Sequence, residues 1–518
     1  MEDIDIWRAA EQTLGSPEEW MHKLVGWRRI FAAFVLGVFS AIAFAPFYFF
    51  PALLVGFAGL ALLLDEAVRT PHRIRAAAAT GWAFAFGQFF LGLHWIVYPF
   101  MVDPTPHLWQ LPFALCLLPA GLGLYGSLAC AVAAAFWRDG VSRLMVLAVS
   151  YAAAEWLRGH LLTGFPWNLP GYGWGASLAV MQSAALWGIY GLSFLTILFG
   201  VSMAALTRRH YALPAVMTAL FVCIWVFGAL RLAEPSATVP DVALRLVQPN
   251  VPQVEMHGRF IIRNWQRLIT LSNSPGHPTH IIWPESAAAF PLAQEPWAIE
   301  DVARLTARGA VLITGAIRQT GTAQNFPWYN SLYIFGPGGR MLGVYDKTHL
   351  VPFGEYLPYP NLLNPLGIAQ LTGLISATPG DGLHRYAVPG APPITPLICY
   401  EAIFPDEVVA AEGRPSWFVN VTDDSWFGPW AGPAQHLLTA RMRSIEEGIP
   451  MARSANTGVS AVIDAKGRIE AQLPLGRAGV VDAPLPDVLS PTPYARFGDL
   501  GFALLLLVSA AFATWVRN

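Results

Sequence analysis

The chain has 518 residues, of which 54% are hydrophobic and 13% are charged, and its formal net charge is -2. Soluble domains carry about 25% charged residues, so this chain cannot cover a globule with charge, and much of its surface is expected to face lipid. The small net charge gives no reason to expect a nucleic-acid partner.

Residues 1–27 are predicted to form a cytoplasmic segment that precedes the membrane. The stretch "MEDIDIWRAAEQTLGSPEEW" is acidic and has no apolar core, so it does not have the pattern of a cleavable signal peptide. Within it, "SPEE" has the pattern of a capping box with proline at the first helical position. That pattern predicts a short helix before the membrane.

Eight apolar stretches are long enough to cross a bilayer, which takes roughly 20 mostly apolar residues. We predict a seven-helix transmembrane domain over residues 28–233 and an eighth span over residues 497–518, which also holds a short cytoplasmic C-terminus. Seven spans with a re-entrant hairpin is the alternative. The eight stretches begin near Ile30, Phe49, Ala76, Leu108, Leu144, Leu178, Ala212 and Phe497.

The distribution of basic residues predicts the orientation of these spans. Among the short loops, one set of span ends is rich in Lys and Arg, whereas the opposite set holds only Arg158. Because cytoplasmic loops carry the excess of basic residues, both termini are predicted to be cytoplasmic. An even number of spans then places residues 234–496 outside. The basic set is Lys23, Arg28, Arg29, Arg69, Arg73, Arg75, Arg138, Arg143, Arg208, Arg209 and Arg517.

The long segment 234–496 has ordinary globular patterning, with short β-rich runs and three helical stretches. Two of the runs are continuously apolar, as strands covered on both faces are. An α/β sandwich with a mixed sheet is therefore predicted. The β-rich runs are 243–249, 279–285, 310–317, 329–336, 341–347, 394–401, 416–422, 451–456 and 458–464, and the helical stretches lie near 258–272, 296–308 and 433–448.

Cysteine usage singles out one thiol. Three of the four cysteines, Cys116, Cys130 and Cys223, fall inside predicted spans, which leaves Cys399 alone in the external segment. An oxidising compartment favours disulfides, so an unpaired thiol there needs a reason. A buried and inert cysteine is the alternative.

Three polar residues follow predicted strands: Glu285 after "IIWP", Lys347 after "GVYD" and Cys399 after "PLI". Strand ends are where α/β folds collect reactive groups. Together a thiol, a carboxylate and an ammonium group suffice for acyl transfer, because the thiol attacks, the carboxylate moves protons and the cation stabilises the oxyanion. The structural alternatives are a surface ion pair for Glu285 and a Lys347–Asp346 pair.

The motifs "IIWPESA", "YDKTHLVPFGEYLP", "ICYEAIFP" and "NVTDDSWFG", followed by "QHL" and "RSIEEGIPMARSANTGVSAVID", resemble those of the apolipoprotein N-acyltransferases, membrane members of the nitrilase superfamily. The resemblance extends to residues 155–172 and 188–195. It implies an αββα nitrilase-like domain outside a multi-pass membrane part, with Glu285, Lys347 and Cys399 as a Glu-Lys-Cys triad.

The resemblance also implies supporting residues and a reaction. Glu355 and Glu401 match carboxylates that assist the triad, and Tyr400 matches a residue of the same pocket. The implied reaction passes an acyl chain from a membrane phospholipid, through a thioester, to the α-amino group of the N-terminal diacylglyceryl-cysteine of an apolipoprotein. The expected enzyme is a monomer of the bacterial inner membrane with a periplasmic catalytic domain and neither cofactor nor metal.

Two departures from the family pattern stand near these motifs. Met256 and His257 occur where family members often carry a Trp that contacts the substrate, and Asp423 stands where Asn is common.

Several features keep two interpretations. Glu155 and Arg158 either satisfy each other on one helix face or, with the neighbouring "GFPWN" loop (residues 164–168), position lipid or dock the external domain. The stretch 351–374 is either a lid or a plain Pro-rich loop. His436 is expected to cap or pack rather than to bind a metal. Two other functions also stay open: a membrane-anchored amidase or nitrilase with water as acceptor, and a transporter or lipid-binding protein with an inactive nitrilase domain.

Overall fold

The structure is a computed structural model that describes residues 24–102, 108–321, 327–363, 365 and 376–515. The "SPEE" capping box, Arg517 and most of the apolar end of the 351–374 stretch lie outside the described residues, and so do the predictions that fall on them.

Helices of ten or more residues occupy all eight predicted apolar stretches and all three predicted helical stretches of the long segment. Within the described ranges, four shorter α-helices lie between them: Pro99–Val102, Leu178–Met181, Pro360–Leu363 and Pro493–Phe497. The longer ones are α1 (Trp27–Ser40), α2 (Pro51–Ala67), α3 (Arg73–Gly92), α4 (Leu111–Ala135), α5 (Ser142–His160), α6 (Ala184–Ser202), α7 (Ala212–Ala233), α8 (Ile261–Ser272), α9 (Pro296–Thr306), α10 (Ala431–Glu447) and α11 (Leu500–Trp515).

The helices α1–α7 and α11, together with the described segments that connect α1 to α7, are here called the helical part. Its helices pack closely through small residues. A Cβ atom added at Gly81 of α3 would lie 2.3 Å from the Gly126 carbonyl oxygen of α4. The two helices therefore approach at a distance that only glycine permits. Small residues at helix contacts are typical of helices that associate within lipid.

A helix counts as a membrane span only when it is long and apolar enough to cross the bilayer. By length and composition, three described helical segments can cross a bilayer, and a fourth can if a pair bent by 61° counts as one span. The count of eight and the external placement of residues 234–496 therefore stay predictions. The three segments are Leu108–Ala135, Ala184–Arg208 and Ala212–Ala233, and the bent pair is Arg73–Gly92 with His94–Val102.

Between α7 and α11 the chain forms two β-sheets. The seven-stranded sheet has the order β13-β1-β2-β4-β5-β6, with β3 paired to β4, and the six-stranded sheet has the order β12-β11-β10-β9-β8-β7. The strands are β1 (Thr238–Gln248), β2 (His280–Ile282), β3 (Ala288–Pro291), β4 (Val311–Gln319), β5 (Trp328–Phe335), β6 (Met341–Asp346), β7 (Tyr386–Val388), β8 (Ala391–Ile398), β9 (Trp417–Thr422), β10 (Met451–Ala455), β11 (Ser460–Ile463), β12 (Ile469–Leu473) and β13 (Gly479–Pro486).

The two sheets pack face to face and helices cover both outer faces. Ile282 of β2 and Ile398 of β8 belong to the apolar core between the sheets. On the outside, Trp265 of α8 packs on the first sheet and Ala440 of α10 packs on the second. This arrangement confirms the predicted αββα sandwich. Successive side chains of a strand point to opposite faces of its sheet, so a sheet buries both faces only when another layer lies on each side.

One glutamine of the sandwich makes four hydrogen bonds to the helical part. The Gln435 Oε1 atom accepts from the indole N–H groups of Trp95 at 3.0 Å and Trp167 at 2.7 Å. Its Nε2 atom donates to the carbonyl oxygens of Ala45 at 3.1 Å and Gly92 at 3.2 Å. Because Gln435 is buried, its docking contacts are screened from water.

A second docking contact lies at a break in α6. Trp187 and Gly188 leave the helical conformation, Gly188 with φ at 68°. The Glu446 carboxylate of α10 accepts the Ile189 N–H group at 2.7 Å, so a side chain of the sandwich satisfies a backbone donor that the break exposes.

Replacing Gln435 with Leu should lower the thermal unfolding midpoint of the detergent-solubilised protein. Two indole N–H groups and the Ala45 carbonyl oxygen would lose a buried partner, and each unpaired group costs about 1–3 kcal/mol, whereas the Gly92 carbonyl oxygen would keep its hydrogen bond from Asn168. Gln266→Leu, on the exposed surface of α8, is the matched control and should change the midpoint little. Equal midpoints for both variants would contradict the docking role.

Candidate active site

The three predicted reactive residues follow strands that converge. Glu285 lies just beyond β2, Lys347 directly follows β6, and Cys399 directly follows β8. Strands β2 and β8 each lie inside their sheet and pair in parallel with a neighbour. The polar residues that end these strands therefore collect at one end of the sandwich, as the sequence predicts.

The Lys347 ammonium group lies between two carboxylates. Its Nζ atom is 2.9 Å from Glu355 and 3.4 Å from Glu285, and its side chain is 1% exposed. Burial lowers the pKa of Lys347, but the Glu355 and Glu285 carboxylates outweigh burial and hold that pKa above its ordinary value. Lys347 is therefore a buried cation, not the surface partner of Asp346.

Two further groups hold the Glu285 carboxylate in place. Asn330 of β5 donates from Nδ2 to Oε1 of Glu285 at 2.7 Å and to Oε1 of Glu355 at 2.9 Å. The Asp423 backbone N–H group donates to Oε2 of Glu285 at 2.8 Å. Asn330 is not predicted from the sequence, because its only local signal is an amide within a buried strand.

Close backbone packing fixes the turn that carries Glu285. A Cβ atom added at Gly315 of β4 would lie 2.6 Å from both the Glu285 Cα atom and the Pro284 carbonyl oxygen. Ser286, the next residue, has φ at 51°. Only glycine at position 315 leaves room for this turn.

The Cys399 thiol is buried beside the other two groups. Cys399 has φ at 50° and is 7% exposed. Burial raises the pKa of the thiol, the Glu285 carboxylate raises it further, and the Lys347 ammonium group lowers it only in part. The resting group is therefore a thiol, with a carboxylate and a cation near enough to influence its ionisation.

Glu401 forms hydrogen bonds with both chain segments that carry Lys347 and Cys399. Its Oε1 atom accepts from the Tyr345 hydroxyl at 2.6 Å and from the Thr348 N–H group at 2.7 Å, and its Oε2 atom accepts from the Ile398 N–H group at 2.6 Å. Burial raises the pKa of Glu401. Its hydrogen bonds thus go to neighbours of the reactive residues.

Tyr400 and Arg158 both contact the GFPWN loop. The Tyr400 hydroxyl donates to the Gly164 carbonyl oxygen at 3.4 Å. Arg158 pairs with Glu155 at 2.5 Å and also donates to the Phe165 carbonyl oxygen. Both interpretations of the Glu155–Arg158 pair therefore hold in part, since the pair satisfies itself and Arg158 also holds the loop beside the sandwich.

A second buried cluster lies behind Cys399 and includes His436, which packs there as the sequence predicts, although no local pattern predicts its contact with Cys399. His436 Nε2 is 3.1 Å from the Cys399 carbonyl oxygen, and Asp424 lies between His436 and Arg453. Among the residues that the structure describes, no group of three or more His, Cys, Asp or Glu side chains could hold a metal ion. The absence of a metal remains an expectation.

Two protein-family models match this chain. The family model for the apolipoprotein N-acyltransferase N-terminal domain matches residues 36–202, and that for carbon-nitrogen hydrolases matches residues 276–494. The apolipoprotein N-acyltransferase of Rhodopseudomonas palustris is 44% identical over 505 residues, which is 93% of this chain and 94% of the relative. That of Brucella suis is 39% identical over 507 residues, which is 94% and 95%.

The chain belongs to the apolipoprotein N-acyltransferase family. It is an acyltransferase with a nitrilase-like domain, and its apolar helices make it a bacterial membrane protein. Among solved structures, an amidase from Nesterenkonia sp. AN1 aligns with 51% of this chain and 99% of its own, at a TM-score of 0.35 and 16% identity.

Both departures from the pattern of the apolipoprotein N-acyltransferases lie next to the triad. Met256 and Glu285 line the same small cavity, together with Asn456. Asp423 accepts from the side chain of Asn456 at 3.0 Å, and burial raises the pKa of Asp423 to about 7, an effect to which Glu285 adds.

Replacing Asp423 with Asn should stabilise the protein in a pH-dependent way. The pKa of Asp423 is about 7 in the folded chain against an ordinary 3.8, so the unfolded chain binds fewer protons between those pH values. The stability that Asp423 contributes is therefore present at low pH and lost as the pH rises towards 7. The gain from Asn should be on the order of a few kcal/mol at pH 8 and smaller at pH 5. Thermal unfolding at both pH values measures it, and equal gains would contradict the assignment.

Proposed function

We propose that the chain transfers an acyl chain from a membrane phospholipid to the α-amino group of the N-terminal diacylglyceryl-cysteine of an apolipoprotein, through a thioester on Cys399. The observation that carries the proposal is the buried Lys347 ammonium group, held between Glu285 and Glu355 beside a buried thiol. Family membership supplies the chemical class of the two substrates.

In the first half of the reaction, Glu285 accepts the Cys399 proton and the thiolate attacks the ester carbonyl of the phospholipid. Lys347 and backbone N–H groups beside Cys399 stabilise the oxyanion, and removing one such donor typically slows a reaction about 10²–10³-fold. When the C–O bond breaks, Glu285 returns the proton to the departing lysophospholipid. The products are an acyl thioester and an alcohol.

In the second half, a neutral α-amine attacks the thioester carbonyl. The pKa of a free α-amino group is about 8, so a useful fraction is neutral at pH 7. Glu285 accepts a proton from the amine, the C–S bond breaks, and the proton returns to the sulfur of Cys399. The products are an amide and the starting thiol.

The burial of the site suits a long-lived thioester. Glu285, Lys347 and Cys399 are each at most 7% exposed. A thioester that waits for an amine must be protected from water, which an apolar, covered pocket achieves. We further propose that the enzyme works as a monomer.

Eight spans, cytoplasmic termini and a periplasmic active site complete the proposal. The basic residues of the short loops support this orientation. Both substrates are lipids that stay in the bilayer, and the contacts of Tyr400 and Gln435 with the helical part support a site held against the membrane.

Incubation with a phospholipid that carries a labelled acyl chain should leave the label on Cys399, visible by intact mass. Cys399→Ala should abolish the adduct, whereas Cys223→Ala, at an exposed thiol of α7, should keep it. An adduct that persists in Cys399→Ala would contradict the assignment of the nucleophile.

Addition of a lipopeptide with a free α-amine should then move the label to that peptide. If free fatty acid is released instead, at the same rate with and without the peptide, the result would favour a membrane-anchored amidase or nitrilase that uses water as acceptor. Absence of any adduct on the wild-type protein would favour a transporter or lipid-binding protein.

Topology can be tested with two reporters fused after Asn518. A fluorescent protein that folds only in the cytoplasm should be bright, and a phosphatase that is active only outside should be inactive, because the basic loops place both termini inside. An active phosphatase would contradict the proposed orientation.

A further inference from the structure

We infer that His436, on α10, is a positioning residue that holds the backbone carbonyl of Cys399 and so sets the direction of the thiol. This inference rests on the proposed function, because it takes the Cys399 thiol as the attacking group. Its basis is the distance of 3.1 Å between His436 Nε2 and the Cys399 carbonyl oxygen.

The backbone at Cys399 needs such support. With φ at 50°, a residue that carries a Cβ atom is in a strained conformation, which costs on the order of 1–3 kcal/mol and persists only when its surroundings enforce it. On the preceding side, Glu401 accepts the Ile398 N–H group at 2.6 Å. On the following side, Cys399 begins a 3-10 helix (Cys399–Ile403), and its carbonyl oxygen is also within hydrogen-bond distance of His436 Nε2.

The direction of this hydrogen bond follows from the chemistry of its partners. A carbonyl oxygen only accepts, so His436 Nε2 carries the hydrogen. The other ring nitrogen, Nδ1, lies 2.8 Å from the Asp424 carboxylate, an acceptor, and 3.2 Å from the Arg453 guanidinium, a donor. Nδ1 therefore finds a partner with or without its own hydrogen, and the bond to Cys399 survives in either ring state.

The groups around His436 are themselves fixed. Arg453 pairs with Asp424 at 2.8 Å, and Thr422 donates to Asp424 at 3.0 Å. His436, Asp424 and Arg453 are each at most 1% exposed. One buried cluster thus contacts the backbone carbonyl of Cys399 through His436, and its Asp424 carboxylate is close enough to the sulfur to help raise the pKa of the Cys399 thiol.

The helix that carries His436 is anchored to the helical part. The preceding residue, Gln435, makes the four docking hydrogen bonds described above. The Trp167 ring also packs on the imidazole, with ring centroids 5.7 Å apart. Through α10, the position of Cys399 is therefore set by the helical part as well as by the sandwich.

Two substitutions separate positioning from packing. His436→Gln places an amide N–H group near the position of Nε2, so it keeps a donor for the Cys399 carbonyl. His436→Asn places its amide near the position of Nδ1, so it can reach Asp424 but not the carbonyl. Both lack the ring, so the loss of the packing on Trp167 is common to the pair.

The measurement is the rate at which labelled phospholipid acylates Cys399, with thermal unfolding of each variant as the check on folding. We expect His436→Asn to slow acylation about 10²-fold, the loss typical of a misplaced reacting group, with little change in the phospholipid KM. His436→Gln should recover most of that rate. Equal rates for the two variants, or a wild-type rate for His436→Asn, would overturn the inference.

Alkylation of Cys399 by a small maleimide, followed by peptide mass, gives a readout that needs no acyl donor. The same ranking of wild type, Gln and Asn is expected, and equal alkylation rates would count against His436. If wild-type protein takes up no acyl chain, the proposed function is wrong, while the alkylation ranking still decides the role of His436. Should His436→Asn not fold, His436→Met replaces it, since Met matches Gln in length and has no N–H group.

Discussion

The Lys347 ammonium group is almost completely removed from water, and a buried charge is costly unless it is paired and hydrogen-bonded. Glu285 and Glu355 supply that pairing from two separate segments, and Asn330 joins their carboxylates from a third. Removing Lys347 would leave two carboxylates in the interior without their cation, and removing Glu355 would take away the closer partner of the ammonium group. The segments around β2, β5 and β6 must therefore meet at one place, which is also where Cys399 emerges from the second sheet.

The sandwich and the helical part are joined by specific polar contacts as well as by apolar packing. Gln435 pairs with two tryptophans and two backbone carbonyls, and Glu446 satisfies the broken turn of α6. Such contacts fix one orientation, because each buried polar group is costly when left without its partner. A cluster centred on Trp95 and Trp167 packs against residues that directly follow the nucleophile, including Tyr400. The helical part thus belongs to the scaffold of the site.

Local sequence patterns predict much of this architecture, because apolar runs and strand ends are properties of neighbouring residues. Every predicted β-rich run overlaps a strand, whereas β3, β7, β12 and β13 lie outside the predicted runs, β12 although its residues alternate between apolar and polar. Glu285, Lys347 and Cys399 are found from their positions after apolar runs. Asn330 is not, since its partner Glu285 lies 45 residues away along the chain. His436 is expected only to cap or pack, and its contact with Cys399, 37 residues away, leaves no local pattern either. Motif matching also finds Glu401, but only the structure shows that it binds backbone groups on either side of the site.

Burial of the Cys399 sulfur has a consequence for the durability of the enzyme. Oxidants and disulfide-exchange partners react with thiolates far more readily than with thiols, and they must first reach the sulfur. A sulfur that stays protonated at rest and lies out of solvent is poorly suited to both reactions. In the proposed mechanism such a sulfur is unreactive between turnovers and becomes nucleophilic when Glu285 accepts its proton, so that it resists peroxide damage and unwanted cross-linking the rest of the time.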